Sequence, residues 1–225
     1  LARYVKARYP IISVVSHEEN RVMAAIKGLA KSRQMACASW SFTTGWKDLP
    51  EVDPEGTQDP AAAFAAVLAY ADRAEQNGSA SPMLFVMKDL HGLLGNKDRG
   101  FSPILVRFLR DIAARLEVTK HSLLLLGPTF QVPPDLDKTV VVLDWPLPDS
   151  DELAAILARR EAELPAGIPV TLNGNRDQVV QALRGLTQFE AESVLLSGIV
   201  ATRELGDTVI PYVLKEKSQI IRKAG

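Results

Sequence analysis

The sequence predicts an α/β fold: a parallel sheet with helices on both faces, followed by a small all-helical region. Three observations carry this. Short apolar runs at 11–15, 35–41, 82–91, 122–126 and 139–143 alternate with segments whose apolar residues recur at helical spacing, which is the pattern of βαβ units. Beyond Leu143 the strand signals all but stop and helical periodicity takes over. The third is Pro82–His91, Pro-Met-Leu-Phe-Val-Met-Lys-Asp-Leu-His. A continuous apolar run that ends in charge reads as a strand buried on both faces. Lys88 and Asp89 then stand at the carboxyl edge of the sheet, where open α/β folds bind their ligands.

Taken in order, Ile11–Val15 is a β-branched strand introduced by Pro10. A helix follows almost at once, with Ser16 and Glu19 at capping-box spacing and Val22, Met23, Ile26 and Leu29 on one face. Met35–Ser41 is the second strand, followed by a loop with Trp40, Phe42 and Trp46; the Pro/Gly/Asp-rich stretch Leu49–Gln58 is a surface connection. Asp59-Pro60 opens a helix with Phe64, Val67, Leu68 and Ala71 facing inward, and Asn77-Gly78 closes it. Gly92–Gly100 is a polar, glycine-bounded loop. Ser102-Pro103 starts the next helix, with Ile104, Leu105, Phe108, Leu109, Ile112 and Leu116 along one side. Ser122–Leu126 and Thr139–Leu143 complete the sheet. Phe85, Val86, Ile12, Val14, Leu124 and Val141 are expected in one buried layer of it.

Trp145-Pro146-Leu147-Pro148 is a stiff connection, because each proline fixes its own φ and restricts the residue before it. Helices follow at Asp149/Glu152 (Leu153, Ile156, Leu157), Asn175 (Val179, Val180, Leu183), Thr187/Glu190 (Val194, Leu195, Ile199) and Thr208–Lys223, with one short extended piece at Ile168–Leu172. The expected division is a core over 1–144 and a helical lid and linker over 145–225.

Composition narrows the function. With 26 Lys+Arg against 27 Asp+Glu, nothing directs the chain to nucleic acid or to an anionic membrane. Cys37 is the lone cysteine, so it has no internal disulfide partner and reads as a small core residue. No apolar stretch approaches the roughly 20 residues that span a bilayer. The chain starts at Leu1 without methionine and stops just after a helical pattern, as an excerpt of a longer polypeptide would.

Several stretches carry a resemblance. They are Ala7-Arg8-Tyr9-Pro10-Ile11-Ile12, Phe85-Val86-Met87-Lys88-Asp89-Leu90-His91, Leu143-Asp144-Trp145-Pro146-Leu147-Pro148-Asp149, Gly185-Leu186-Thr187 with Glu190-Ala191-Glu192, and Lys215–Lys223. In this order and spacing the chain resembles the N-terminal half, lacking a P-loop, of an AAA ATPase family that cyanobacteria and algal plastid genomes carry as a conserved reading frame. The resemblance implies an AAA+-like core of P-loop-NTPase type with a helical lid. It further implies an adjoining AAA module that uses ATP and Mg²⁺, a homo-oligomeric ring, and a place in the cytoplasm or plastid stroma. For this fragment itself no cofactor is expected.

The site residues can be tested against that family. A P-loop needs glycines so that backbone N–H groups wrap the phosphates, a lysine for the β/γ-phosphates and a Ser/Thr for Mg²⁺. At the corresponding place stand Ser16, His17, Glu18, Glu19, Asn20 and Arg21, without a glycine. The resemblance assigns Lys88 to the metal-supporting position and Asp89 to the water-polarising one; Thr129, beyond Gly127-Pro128, reads equally as the polar residue after the fourth strand or as a turn residue. A lysine repels a divalent cation, so the expectation is a degenerate nucleotide site with no catalytic residue. The bland reading of Lys88-Asp89 is a pair held in local salt bridges or at an oligomer interface. His17, His91 and His121 lack metal-ligand spacing, and His121 before its strand reads as a solvated turn residue. The expected role is therefore a catalytically silent module for oligomer assembly or for positioning an active ATPase module. The alternatives are an atypical ATP-binding domain working through the Lys88/Asp89 edge and a non-hydrolysing, clamp-loader-like subunit that binds a partner protein.

Overall fold

The structure is a computed structural model describing residues 1–77, 81–172 and 174–224, the side chains of 74–77, 223 and 224 excepted. The chain divides into two compact units, Leu1–Trp145 and Pro146–Gly225.

The first unit contains α1 (Ala2–Lys6), β1 (Ile11–Val15), α2 (Glu19–Ser32), β2 (Ala36–Ser41), β3 (Gly45–Lys47), α3 (Pro60–Asn77), β4 (Met83–Lys88) and α4 (His91–Leu94). The short strands β5 (Gly95–Asn96) and β6 (Gly100–Phe101) come next, then α5 (Pro103–Glu117), β7 (Ser122–Gly127) and β8 (Val140–Asp144). Six strands form one sheet in the order β3-β2-β4-β7-β1-β8. All pairings are parallel except β2 with β3, where Trp40 stands opposite Trp46. That edge hairpin replaces the expected loop: Trp40 lies on β2 and Trp46 on β3. Both indoles are buried, and each N–H reaches a carbonyl, that of Thr57 at 2.6 Å and that of Ala63 at 2.9 Å.

Strand alternation sorts the core onto two faces. Ile11, Phe85, Met87, Leu123 and Leu125 pack with Phe64 and Val67 of α3 and with Leu109 and Ile112 of α5. Ile12, Val14, Leu84, Val86, Leu124 and Leu126 pack with Val22, Ile26 and Ala30 of α2. Phe85 therefore lies on the face opposite to Val86, Ile12, Val14 and Leu124, because neighbours along a strand point to opposite sides. Each such buried side chain contributes about 1.5–3 kcal/mol over exposure. Cys37 is only half-buried against the second face, and burial pushes its thiol pKa up.

Local signals start the helices. Asp59 Oδ2 accepts the Ala62 N–H at 3.0 Å and Ser102 Oγ the Leu105 N–H at 3.4 Å. On α5 the inward side is Leu105, Val106, Leu109, Ile112, Ala113 and Leu116, while Ile104 is exposed. The segment after His91 is not a plain loop: it forms α4 and the antiparallel β5–β6 pair. Of the expected stop at Asn77-Gly78, α3 ends at Asn77 and Gly78 lies outside the described residues.

The second unit holds α6 (Ser150–Ala162), β9 (Val170–Thr171), α7 (Arg176–Leu183), α8 (Gln188–Thr202), β10 (Leu205–Gly206) and α9 (Val209–Ala224). Full capping boxes start α6 at Asp149/Glu152 and α8 at Thr187/Glu190. The unit is not all-helical, since β9 and β10 pair in parallel. Leu153, Ile156, Leu157, Val179, Leu183 and Leu195 belong to its own core. Glu192 of α8 takes ion pairs from Arg159 and Arg160 of α6. No helix among the described residues is long and apolar enough to cross a membrane.

Candidate functional site

The sheet order reverses at β1. The chain leaves β1 towards β2 on one side and later arrives at β8 on the other, so a crevice is expected at its carboxyl end. There the ends of β1, β4, β7 and β8 converge through backbone hydrogen bonds. The Ser16 N–H donates to the Gly127 carbonyl at 2.9 Å, the Asp89 N–H to that of Leu126 at 2.8 Å, and the Trp145 N–H to that of Val15 at 2.9 Å.

Only Ser16, His17 and Glu18 separate β1 from α2. Ser16 Oγ accepts the Glu18 N–H at 3.0 Å in a tight turn, and Glu18 rather than Ser16 is the residue before the helix. The Ser16/Glu19 capping box is therefore not formed. Glu19 instead accepts from Lys88 Nζ at 2.9 Å. Glu18 pairs with Arg21 one turn along α2 at 2.8 Å, and both side chains are almost enclosed, at 7% and 11% exposure. Enclosure makes this pair more consequential than an ordinary surface pair of under about 1 kcal/mol. His17 and Asn20 are exposed beside it.

Lys88 therefore bonds to α2 and not to its neighbour Asp89. Asp89 has φ +56, which turns the chain out of β4, and its largely exposed carboxylate stands 4.0 Å from His91 Nδ1. The imidazole lies across the end of β7. A Cβ at Gly127 would come within 2.9 Å of His91 Nδ1, so only glycine lets the ring settle there. His91 Nδ1 is buried without a hydrogen-bond partner among the described residues. Thr129 is exposed and lines, with Leu90, His91, Gly127 and Phe130, a recess of about 10 Å³. That recess is far too small for a nucleotide.

Two internal clusters result: Lys88–Glu19 with the Glu18–Arg21 pair behind it, and Asp89–His91 against Gly127. Of the candidate residues, Ser16 touches both through its bonds to Gly127 and Glu18, Thr129 only borders the recess beside His91, and His17 and Asn20 join neither. Sequence reading passed over the Glu18–Arg21 pair, whose i,i+3 spacing was a usable signal. It also passed over the Gly127–His91 packing, for which spacing offers no signal. Among the described residues, no group of three or more His, Cys, Asp or Glu is placed to hold a metal.

Comparison with known proteins gives the family. The model for the N-terminal domain of SpoVK-like AAA ATPases matches residues 1–145, and the model for their second domain matches residues 151–224. The AAA domain-containing protein ycf46 of Guillardia theta is 28% identical over 218 residues, covering 96% of this chain and 40% of that protein. Its counterpart from Trieres chinensis is 27% identical over 218 residues, covering 96% and 41%. That from Pyropia yezoensis is 24% identical over 220 residues, covering 97% and 42%. The chain thus spans only about two-fifths of the length of these curated relatives. A chain in the structure of the E. coli MS115-1 HORMA:CdnC:Trip13 complex superposes with a TM-score of 0.55 at 13% identity, covering 96% of this chain and 74% of that one. Identity that low speaks for the fold alone. With both domain models matched in order along nearly its whole length, this chain belongs to the SpoVK-like AAA ATPase family.

Proposed function

We propose that this chain is a nucleotide-silent AAA module whose work is mechanical: supporting oligomer assembly, or positioning and regulating an active ATPase module in a longer protein. The observation that carries the reading is the Lys88–Glu19 ion pair at the carboxyl edge. It joins the tip of β4 to the start of α2, where a nucleotide's phosphates and Mg²⁺ lie in an active P-loop protein.

The residues do not fit that group. Three residues without a glycine connect β1 to α2 and cannot wrap a phosphate. Glu18 and Glu19 place negative charge at the helix N-terminus, and a dipole contribution of roughly 0.3–1 kcal/mol does not offset it. Lys88 offers a cation where a divalent metal would need a carboxylate. On this reading ATP and Mg²⁺ act at an adjoining AAA module, in a ring of like subunits, in the cytoplasm or plastid stroma. Binding of ATP through the Lys88/Asp89 edge is disfavoured, because Lys88 would have to leave Glu19 first.

Isothermal titration of the chain with ATP and Mg²⁺ tests this. The expected result is no binding tighter than about 10 µM, or roughly −7 kcal/mol. A tighter dissociation constant overturns the silent-module reading.

A further inference from the structure

At the amino end of the sheet, the first unit has an open cleft of about 580 Å³, within the roughly 300–1,000 Å³ of small-ligand sites. Pro10 and Thr139, which precede β1 and β8, both line it, so it lies at the opposite end of the strands from Lys88 and Asp89. The apolar part of the lining is mostly small, with Ala7, Pro10, Ala113 and Ala114 leaving space beside Tyr9. Charged side chains from three separate segments complete it: Arg8 after α1, Arg110 and Glu117 on α5, and Asp135 and Lys138 ahead of β8. Arg110 and Asp135 pair with each other at 3.5 Å. Arg8, Lys138 and Glu117 are exposed, and none has an ion pair or a side-chain hydrogen bond among the described residues. Arg8 also holds φ +58 where the chain leaves α1, a left-handed conformation that glycine ordinarily fills. Side chains kept at such positions against their conformational preference concentrate at ligand sites.

We infer that the cleft binds a small zwitterion with two carboxylates and one free ammonium, the charge set of an acidic amino acid or of a dipeptide that begins with one. The unpaired groups select this class. Arg8 and Lys138 complement two carboxylates, Glu117 complements one ammonium, and the Arg110–Asp135 pair is neutral beside them. A phosphate or a plain dicarboxylate would meet Glu117 with like charge, which counts against it. An acidic residue inside a protein chain has its nitrogen in an amide and offers Glu117 no cation. Exposed charge pairs are individually weak, so the expected dissociation constant is about 0.1–5 mM. The cleft shares no residue with the carboxyl edge, so its test is separate from whether that edge binds nucleotide.

Titration of the isotope-labelled whole chain with L-glutamate and with L-glutamyl-L-alanine, at constant ionic strength and followed by amide chemical shifts, tests this. The two probes tell the amino acid from the dipeptide. Saturable shifts should centre on Arg8, Ala114 and Thr139 and leave Ser16 and Asp89 in place. Arg8→Gly suits the backbone there, and Ala114→Phe fills the cleft from an exposed position. Each should weaken binding about fivefold or more. Glu117→Gln should weaken glutamate about threefold, yet glutarate, with two carboxylates and no ammonium, should bind that variant at least as well as the parent. Arg99→Met, in the exposed turn between β5 and β6, should change nothing. The proposal is overturned if neither probe gives saturable shifts up to about 50 mM, or if glutarate binds the parent as tightly as glutamate. It is equally overturned if Arg8→Gly or Glu117→Gln has no effect, or if Arg99→Met weakens binding as much as Arg8→Gly.

Discussion

His121 immediately precedes β7, with its ring edge-on to Tyr70 and Phe85, at centroid distances of 5.5 and 6.0 Å. Its Nδ1 accepts the Met83 N–H at 3.0 Å, so the ring proton sits on Nε2. It is 4% exposed, not the solvated turn residue its position suggested. The residues that enclose it come from α3 and β4, and no local pattern around position 121 records them. Burial, and secondarily the charge of Arg115, lowers its pKa below the ordinary histidine value. The sign follows from linkage: below about pH 6.5 the unfolded chain takes up a proton that the folded one refuses. The stability due to neutral His121 is thus complete above about pH 6.5 and is lost as pH falls through the lowered folded pKa. Between those limits the slope approaches about 1.4 kcal/mol per pH unit. Urea titrations from pH 8 to 5, followed by tryptophan fluorescence, should show this decline, and His121→Phe should flatten it. An unchanged slope in that variant would place the titrating group elsewhere.

Among the elements, β4 was the most legible and the start of α2 the least. An unbroken apolar run between polar ends admits few readings, and Met83–Lys88 is a central strand as expected. Ser16 and Glu19 have capping spacing, yet Glu19 is drawn to Lys88 by a contact across 69 positions of sequence. The short edge strand β3 was missed because three residues are too few to show alternation. The Lys88–Glu19 contact ties the tip of β4 to the first turn of α2, and its removal is an element-level perturbation. Lys88→Asp would exchange an attraction for repulsion from Glu19 and Asp89, although the helix dipole returns part of that loss. Because both side chains are partly exposed, we expect a loss of only about 1 kcal/mol, with Lys88→Met losing less than that. Equilibrium unfolding of the three proteins side by side measures it. A Lys88→Asp protein as stable as the parent would mean that the pair contributes nothing.

Across the whole molecule, the change of pattern after Leu143 was readable because it is a change of period, from alternating strands and helices to mostly helices, with only the two-residue strands β9 and β10 between them. Each unit has a closed set of core residues: those of the first end at Trp145, and those of the second begin at Leu153. A unit with its own core unfolds on its own terms unless a large apolar interface couples it to another. The chain provides a clean way to observe this, since its three tryptophans, Trp40, Trp46 and Trp145, all belong to the first unit. Tryptophan fluorescence reports that unit alone, whereas far-ultraviolet circular dichroism reports the helices of both. Leu183→Ala removes a fully buried side chain from the core of the second unit and should cost about 2–5 kcal/mol there. It should shift the dichroism transition to lower denaturant and leave the fluorescence midpoint where it was. Residues 1–145 and 146–225, expressed separately, should each melt cooperatively. Coincident shifts in both signals, or a second unit that folds only when joined to the first, would show the two units to be one cooperative structure.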